Sequence, residues 1–400
     1  MDFDPAAIDA LKWLDDKQDS MMKLIIELCD INSGTFNLSG IETVRHRLVE
    51  EFSQLGGELK VVEAQPWMTV DDRGEKEAGK SGPMIHVTKW PDAKKKVMLC
   101  IHMDTVYGPD HHFQKCVMKA DGCLNGPGVI DAKGGIVVML NALRAIEASS
   151  LAGTVGWEVI LNADEEIGSR GSDQFIRSRA PHCDAGILFE PALPDGTLVS
   201  WRKGSGNFAF IVRGKSAHTG RDFAKGRNAL AALSRLCVEI DELNTDPDIT
   251  FNVGRINGGG ALNAVPDLAV GRVNVRVVDT AQQKMVEDKF AELVAKYNQL
   301  DGITIEINGE FSSPPKPIND GVQEMQSRIE SCGSQLGMEV KWRGTGGASD
   351  GNRFAAAGLP NIDTLGPRGD HIHSDQEFLI PESLVPAAKL AALVLVSFGT

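Results

Sequence analysis

The stretch LNADEEIGSRG (161–171) sets three acids, Asp164, Glu165 and Glu166, behind the apolar run Val159-Ile160-Leu161. Adjacent carboxylates repel one another, so crowding them at the end of a strand requires water or a cation to offset the charge. A solvated helix start is one reading, because acids suit a helix N-terminus; a bound metal is the other. Four further segments offer groups of the same kind. LCIHMDTV closes an apolar run with His102 and Asp104, which as i and i+2 of a strand point to one side. His102 can ligate a metal while Asp104 orients it, although a hydrogen-bonded histidine at a strand end is the ordinary alternative. NGPGVIDAKGG places Asp131 in a glycine-rich turn before a helix, where an N-cap is the competing role. ILFEPA ends in Glu190, a carboxylate costly to bury without a partner. GDHIHSDQEF supplies His371 and His373 near the C-terminus.

Taken together the set is specific. Two imidazoles with several carboxylates and no cysteine suit zinc, cobalt or manganese rather than a structural thiolate site. The carboxylates exceed one zinc's needs, which points to two metals and a bridging carboxylate.

The elements that must position these groups read as an α/β sheet. VMLCIHM (97–103), WEVILNA (157–163) and AGILFE (185–190) are apolar strands, and GGIVVMLNALRAIEA (134–148) has helical periodicity; a polar helix falls near 169–179. That alternation predicts a sheet, mixed but largely parallel, sandwiched by helices, with active residues beyond the strand ends. From residue 204 the grammar changes to strand NFAFIVRG, helix RNALAALSRLCVEIDEL, strands ITFNVGRI and DLAVGRVNVRVV, helix AQQKMVEDKFAELVAKYNQL and strand ITIEIN. This β-α-β-β-α-β order is the ferredoxin-like split unit. After SSPPKP the first pattern resumes with helix VQEMQSRIESCGSQLG, strand MEVKWRG and a last helix containing LAALVLVSF. The organisation is therefore one α/β domain in two parts, 1–203 and 314–400, with a second, α+β domain inserted at 204–313. DDRGEKEAGKSG (71–82) reads as a charged surface loop or a hairpin insert.

Composition limits the function classes. Four hundred residues fit two domains, and 42% hydrophobic residues supply a core. A formal charge of −14 argues against a nucleic-acid partner. Seven scattered cysteines without a CxxC pair read as free thiols of a reducing compartment. The acidic N-terminus does not resemble a signal peptide, and no run reaches the roughly eighteen apolar residues of a membrane span. The expected location is cytoplasmic.

The motifs HMDTV (102–106), GPGVIDAKGG (126–135), DEEIGSRGS (164–172), FEP (189–191), GKSAHTG (214–220) and HSDQEF (373–378) together resemble the zinc-dependent amidohydrolase family that includes glutamate carboxypeptidase, aminoacylase, acetylornithine deacetylase and succinyl-diaminopimelate desuccinylase. The likeness spans nearly the whole chain and is nearest the glutamate carboxypeptidase branch. It implies two zinc ions per chain, replaceable by cobalt or manganese. His102 and Glu190 would bind one, Glu166 and His373 the other, and Asp131 would bridge both. Glu165 would be the general base, Asp104 would support the site, and the Asp131–Ala132 peptide would be cis. His371, His111 and His112 stay outside the pattern as surface or rim residues.

The resemblance further implies that 1–203 and 314–400 form the catalytic zinc domain and 204–313 a lid domain that pairs two chains into a homodimer, with His218 reaching across the interface as the oxyanion donor; a hairpin-loop histidine is the alternative. Asn263 and Arg276 would hold a substrate carboxylate, a contact that suits arginine, although Arg276 also fits a solvated strand face. GTGGASDG (344–351), including Gly347, would add backbone N–H groups, or serve only as a flexible glycine segment. Where glutamate-selective relatives carry a further arginine near the end of the lid, this chain reads NGEFSSPPKP, leaving Lys316 as a possible substitute receptor and Phe311 as a possible apolar pocket wall. The expected activity is cleavage of the amide bond beside a C-terminal or N-acylated amino acid bearing a free carboxylate, on a peptide or N-acyl amino-acid substrate. An N-acyl amino-acid deacylase is the nearest alternative. A non-catalytic binding protein on the same fold is another, and a calcium-binding structural dimer a third, which two imidazole ligands oppose.

Overall fold

In strand Lys96–His102 alternate residues enter two different apolar layers. Val97, Leu99 and Ile101 join one hydrophobic cluster, and Met98 and Cys100 join another, the two-sided burial of a strand inside an α/β sheet. A computed structural model describes residues 11–399; residues 1–10, the first half of the acidic N-terminal stretch, lie outside the described residues. The strand is central in a six-stranded sheet ordered Glu58–Val62, Met84–Lys89, Gly156–Asn162, Lys96–His102, Ala185–Leu188, Asn361–Ile362. The first two pairings are antiparallel and the other three parallel. Helices Gln18–Cys29, Leu38–Ser53, Gly134–Glu147 and Leu384–Val396 pack on one face, and Asp173–Arg179 and Gly351–Ala356 on the other. This is the mixed, largely parallel sheet sandwiched by helices that the alternation predicts.

Four antiparallel strands form a separate sheet in the order Thr250–Gly258, Leu268–Val277, Gly204–Arg213, Thr304–Ser313. Helices Ala229–Asp241 and Thr280–Tyr297 cover one face, and Phe208, Phe210, Leu233, Val275 and Phe290 are among its core residues. Each helix starts at a side-chain cap: Asn228 accepts from the Ala231 N–H, and Asp279 from the Gln282 N–H. Strand order and crossovers match the split unit.

Local departures from the sequence reading have physical causes. The segment 71–82 takes the hairpin alternative, with strands Trp67–Val70 and Lys76–Gly79 paired. Its tip straps onto the helix-free face of the lid sheet: Val70 packs with Ala209, Ile211 and Val270, and Asp72 pairs with Arg272 at 3.1 Å and with Arg255. The polar helix begins only at Asp173, because residues before it form a tight turn with Gly168 at φ 87°, pinned by the Asp164 carboxylate, which accepts from the Gly171 N–H and the Ser172 hydroxyl at 2.6 Å each. The strand expected at MEVKWRG is confined to Trp342–Thr345, parallel to Leu198–Arg202. The seven cysteines are free thiols. No helix among the described residues is long and apolar enough to cross a membrane.

Candidate metal centre

The parallel strands run in one sense, so their carboxyl ends meet along one edge of the sheet. His102 pairs in register with Asn162, after which come Glu165 and Glu166; Leu188, two residues before Glu190, pairs with Cys100. Asp131 arrives from the turn that feeds the buried helix Gly134–Glu147. That turn needs its glycines: Gly128 sits at φ 73°, and a Cβ on Gly135 would lie 2.0 Å from the Phe189 carbonyl oxygen, beside Glu190. The Asp131–Ala132 peptide is cis.

The side chains converge as two triads. His102 Nε2 lies 3.1 Å from Asp131 Oδ1 and 3.9 Å from Glu190 Oε2. His373 Nε2 lies 3.2 Å from Asp131 Oδ2 and 3.2 Å from Glu166 Oε2. Within His102–Asp131–Glu190 and within Asp131–Glu166–His373 the ligand-type atoms all fall within 4.8 Å of one another. Asp131 belongs to both, offering one oxygen to each histidine. Glu165 belongs to neither.

The electrostatics of these groups call for a cation. Burial raises Glu166, and the Asp131 charge adds to it. Burial also raises Glu190, outweighing the favourable His102 charge. Glu165 is pushed well above the usual carboxylate range, by burial first and then, against the pull of His102, by Glu190, Asp350 and Glu166. Glu166 Oε1 is buried without a hydrogen-bond partner, and a buried orphan oxygen among like charges requires an explanation. A divalent ion supplies one, and the imidazole–carboxylate donor set fits zinc better than calcium. His373 adopts φ 62°, an uncommon region for a residue with a Cβ, and is the exposed member of the set.

Asp104 supports this edge from beneath. It is fully buried and accepts from the Thr35 hydroxyl at 2.7 Å and from the backbone N–H groups of Glu165 (3.2 Å) and Glu166 (3.3 Å). Its backbone carbonyl oxygen faces His102 Nδ1 at 3.0 Å, and its carboxylate lies 3.4 Å from the same nitrogen, which directs Nε2 towards Asp131. The three clustered acids therefore divide: Asp164 pins its own turn, and Glu165 and Glu166 face the site.

One buried residue escaped the sequence reading. Glu377, 0% exposed, accepts from the N–H groups of Gly128, Ile130 and Asp131 at 3.1–3.2 Å and from the Tyr107 hydroxyl at 2.8 Å. Burial and the Asp131 charge push its carboxyl up to about 7. It lies inside HSDQEF, but its neighbours in sequence do not announce a fully buried acid.

The remaining candidates lie apart. His218 is exposed, and its Nδ1 accepts from the Gly220 N–H at 3.1 Å. Asn263 is exposed beside it, its carbonyl accepting from the Thr219 N–H at 3.0 Å. Arg276 is half-buried and donates to Asn274 Oδ1 at 3.1 Å and to the Gly346 carbonyl at 3.4 Å, with no carboxylate partner among the described residues. The Gly347 N–H donates to Thr345 Oγ1 at 3.3 Å, and its carbonyl accepts from Arg202. Lys316 must be withdrawn as a substrate receptor: it is fully buried, 2.9 Å from Asp363, which also accepts from Arg202 at 2.7 Å. Phe311 is nearly buried against Phe208 but touches a cleft beneath the lid. His371, His111 and His112 are exposed.

Residues 98–397 match the profile of peptidase family M20/M25/M40. The chain is 26% identical over 398 residues to carboxypeptidase G2 of Pseudomonas sp. (strain RS-16), covering 96% of this chain and 90% of that protein. It is 27% identical over 303 residues to succinyl-diaminopimelate desuccinylase of Acidovorax ebreus, covering 71% and 76%. Among solved structures it resembles an M20 family metallo-carboxypeptidase from Sulfolobus solfataricus, with a TM-score of 0.72 at 18% identity over 95% of this chain and 99% of the other.

Proposed function

The chain belongs to peptidase family M20/M25/M40 and is a carboxypeptidase-like hydrolytic enzyme; from that premise we propose that it uses two zinc ions to cleave the amide bond beside a C-terminal or N-acylated amino acid bearing a free carboxylate. The observation that supports this reading most directly is the sharing of Asp131 between two triads while Glu165 stands outside both. His102, Asp131 and Glu190 would hold one ion, and Asp131, Glu166 and His373 the other.

Two such ions would polarise the scissile carbonyl and acidify water at the site. Glu165 takes a proton from the attacking water and delivers it to the leaving amine. Asp104 holds the base and the adjacent ligand Glu166 in register through their backbone N–H groups. Arg276, with Asn263 and the glycine loop around Gly347, clamps the substrate carboxylate.

His218 completes the oxyanion site across a two-fold dimer. The exposed positions of His218 and Asn263 support action outside their own chain. So do the outer edge of strand Thr250–Gly258 and the exposed Val238, Ile256 and Leu262 on the lid, which suit an isologous contact. The free thiols fit a cytoplasmic location.

The test is metal analysis followed by assay. About two zinc ions per chain, loss of activity on chelation and recovery on zinc addition are expected. Matched N-acyl amino acids with free and amidated C-termini should differ by about tenfold to a hundredfold, since the charge-assisted contact to a half-buried arginine contributes roughly 1.5–3 kcal/mol. Equal cleavage of both would end the carboxylate-clamp reading.

A further inference from the structure

A cleft of about 840 Å³ opens between the Trp67–Gly79 hairpin, the turn after Glu166 and the lid sheet. Trp67, Gly168, Arg170, Asn207, Asn274 and Phe311 are on its walls. Five arginines border it, and four are neutralised. Asp72 pairs with Arg255 and Arg272. Asp173 lies 3.8 Å from Arg177 and 3.3 Å from Arg353, which also meets Asp350 at 3.4 Å. Arg170 differs. It is half-buried, its guanidinium lies 4.9 Å above the Trp67 ring, and no carboxylate or hydrogen-bond acceptor engages it among the described residues. Desolvation lowers its pKa, and Glu310 is the one acid whose charge registers on it; an arginine still remains protonated. A guanidinium held over an aromatic face still has N–H donors to offer a carboxylate.

The same cleft connects to the proposed clamp. Arg276 Nε donates to Asn274 Oδ1 at 3.1 Å, and Asn274 Nδ2 donates to Asn207 Oδ1 at 2.9 Å. The cleft also reaches Gly168, two residues beyond Glu166. A single arginine flanked by neutral amides, without a lysine cluster or glycine nest, suits a carboxylate better than a phosphate.

We propose that Arg170, seated on Trp67, receives a second carboxylate of the substrate, so that this enzyme prefers dianionic amides. This rests on the reading of Arg276 as the clamp for the first carboxylate. It also supplies the second cationic receptor that the buried Lys316 does not.

The second carboxylate can sit on the terminal amino acid or on the acyl group, and the test separates these sources. Zinc-loaded wild-type enzyme, Arg170→Gln and Arg170→Lys would be assayed with N-acetyl-methionine, N-acetyl-glutamate and N-succinyl-methionine. Wild type should favour one dianionic substrate over N-acetyl-methionine at least tenfold in kcat/KM. Arg170→Gln should reduce that ratio at least tenfold, mainly through KM, and Arg170→Lys should recover part of it. A ratio unchanged in Arg170→Gln, including a parallel fall on all three substrates, would overturn the assignment. Should wild type cleave none of them, the proposed function fails, and Arg170 is then judged by isothermal titration of glutarate against butyrate. Tighter glutarate binding that disappears in Arg170→Gln upholds the site; equal affinity of wild type and variant for glutarate overturns it.

Discussion

The carboxylate of Glu377 accepts the backbone N–H of Asp131 at 3.2 Å, and through the N–H groups of Gly128 and Ile130 it holds the whole turn that presents Asp131 to both triads. A fully buried acid thus fixes the orientation of the proposed bridging acid without touching the ligand atoms itself. Glu377→Ala would leave three N–H groups without their acceptor, at roughly 1–3 kcal/mol each. We expect its metal affinity to fall about 10–100-fold, as for other residues that orient ligands, and Glu377→Gln to fall less. Competition with a chromogenic chelator measures this; unchanged affinity in both variants would refute the role.

Glu165 and Glu166 are adjacent in sequence but only Glu166 joins a triad. Glu165→Gln is expected to retain both metals while turnover falls about 10²–10⁴-fold, the usual scale of a lost acid–base group. Glu166→Gln should release one metal. Metal analysis after gel filtration distinguishes them, and equal metal loss from the two variants means that the roles are misassigned.

Asp363 is a stability residue with a pH signature. Burial opposes its charge, but Arg202 and Lys316 outweigh burial and hold its carboxyl at about 2. A depressed carboxylate stabilises the fold above its unfolded pKa of about 3.9, and the contribution is lost as pH falls through the folded value. Asp363→Asn leaves Lys316 buried and unpaired, a loss of roughly 3–5 kcal/mol at pH 7. The stability gap to wild type should narrow by about 1 kcal/mol between pH 7 and pH 3 in denaturant titrations; a constant gap would contradict the linkage.

Action of His218 across a dimer predicts complementation. His218→Ala and Glu165→Ala chains should each be nearly inactive. After subunit exchange an equal mixture should recover about a quarter of wild-type activity, because half the dimers are hybrids with one intact site each. Absence of recovery, with hybrid formation verified by mass, would rule against action of His218 across the dimer.

Much of the site was legible in the sequence. His102 closes a strand whose neighbours bury on alternate faces, Glu190 closes another, and the Glu165–Glu166 pair follows a third; strand period and apolar runs are local properties that survive without coordinates. The inserted lid was equally legible, because its order of strands and helices is a pattern along the chain. The ligand pairing itself came from resemblance; periodicity could not have supplied it.

What only the tertiary structure decided concerns charged residues whose partners are remote in sequence. Lys316 reads in the sequence as a substitute receptor for substrate, yet it is sealed against Asp363, 47 positions away. Glu377 reads as one more acid in a polar loop, yet it holds a turn nearly 250 residues earlier. Arg170 sits in a motif with a conventional acidic start, and only the folded hairpin lays Trp67 beneath it, with no ion-pair partner among the described residues. Composition and periodicity record where a side chain points along its own element. Desolvation and pairing of a charge depend on which other elements close over it, and that is set by packing across the whole fold.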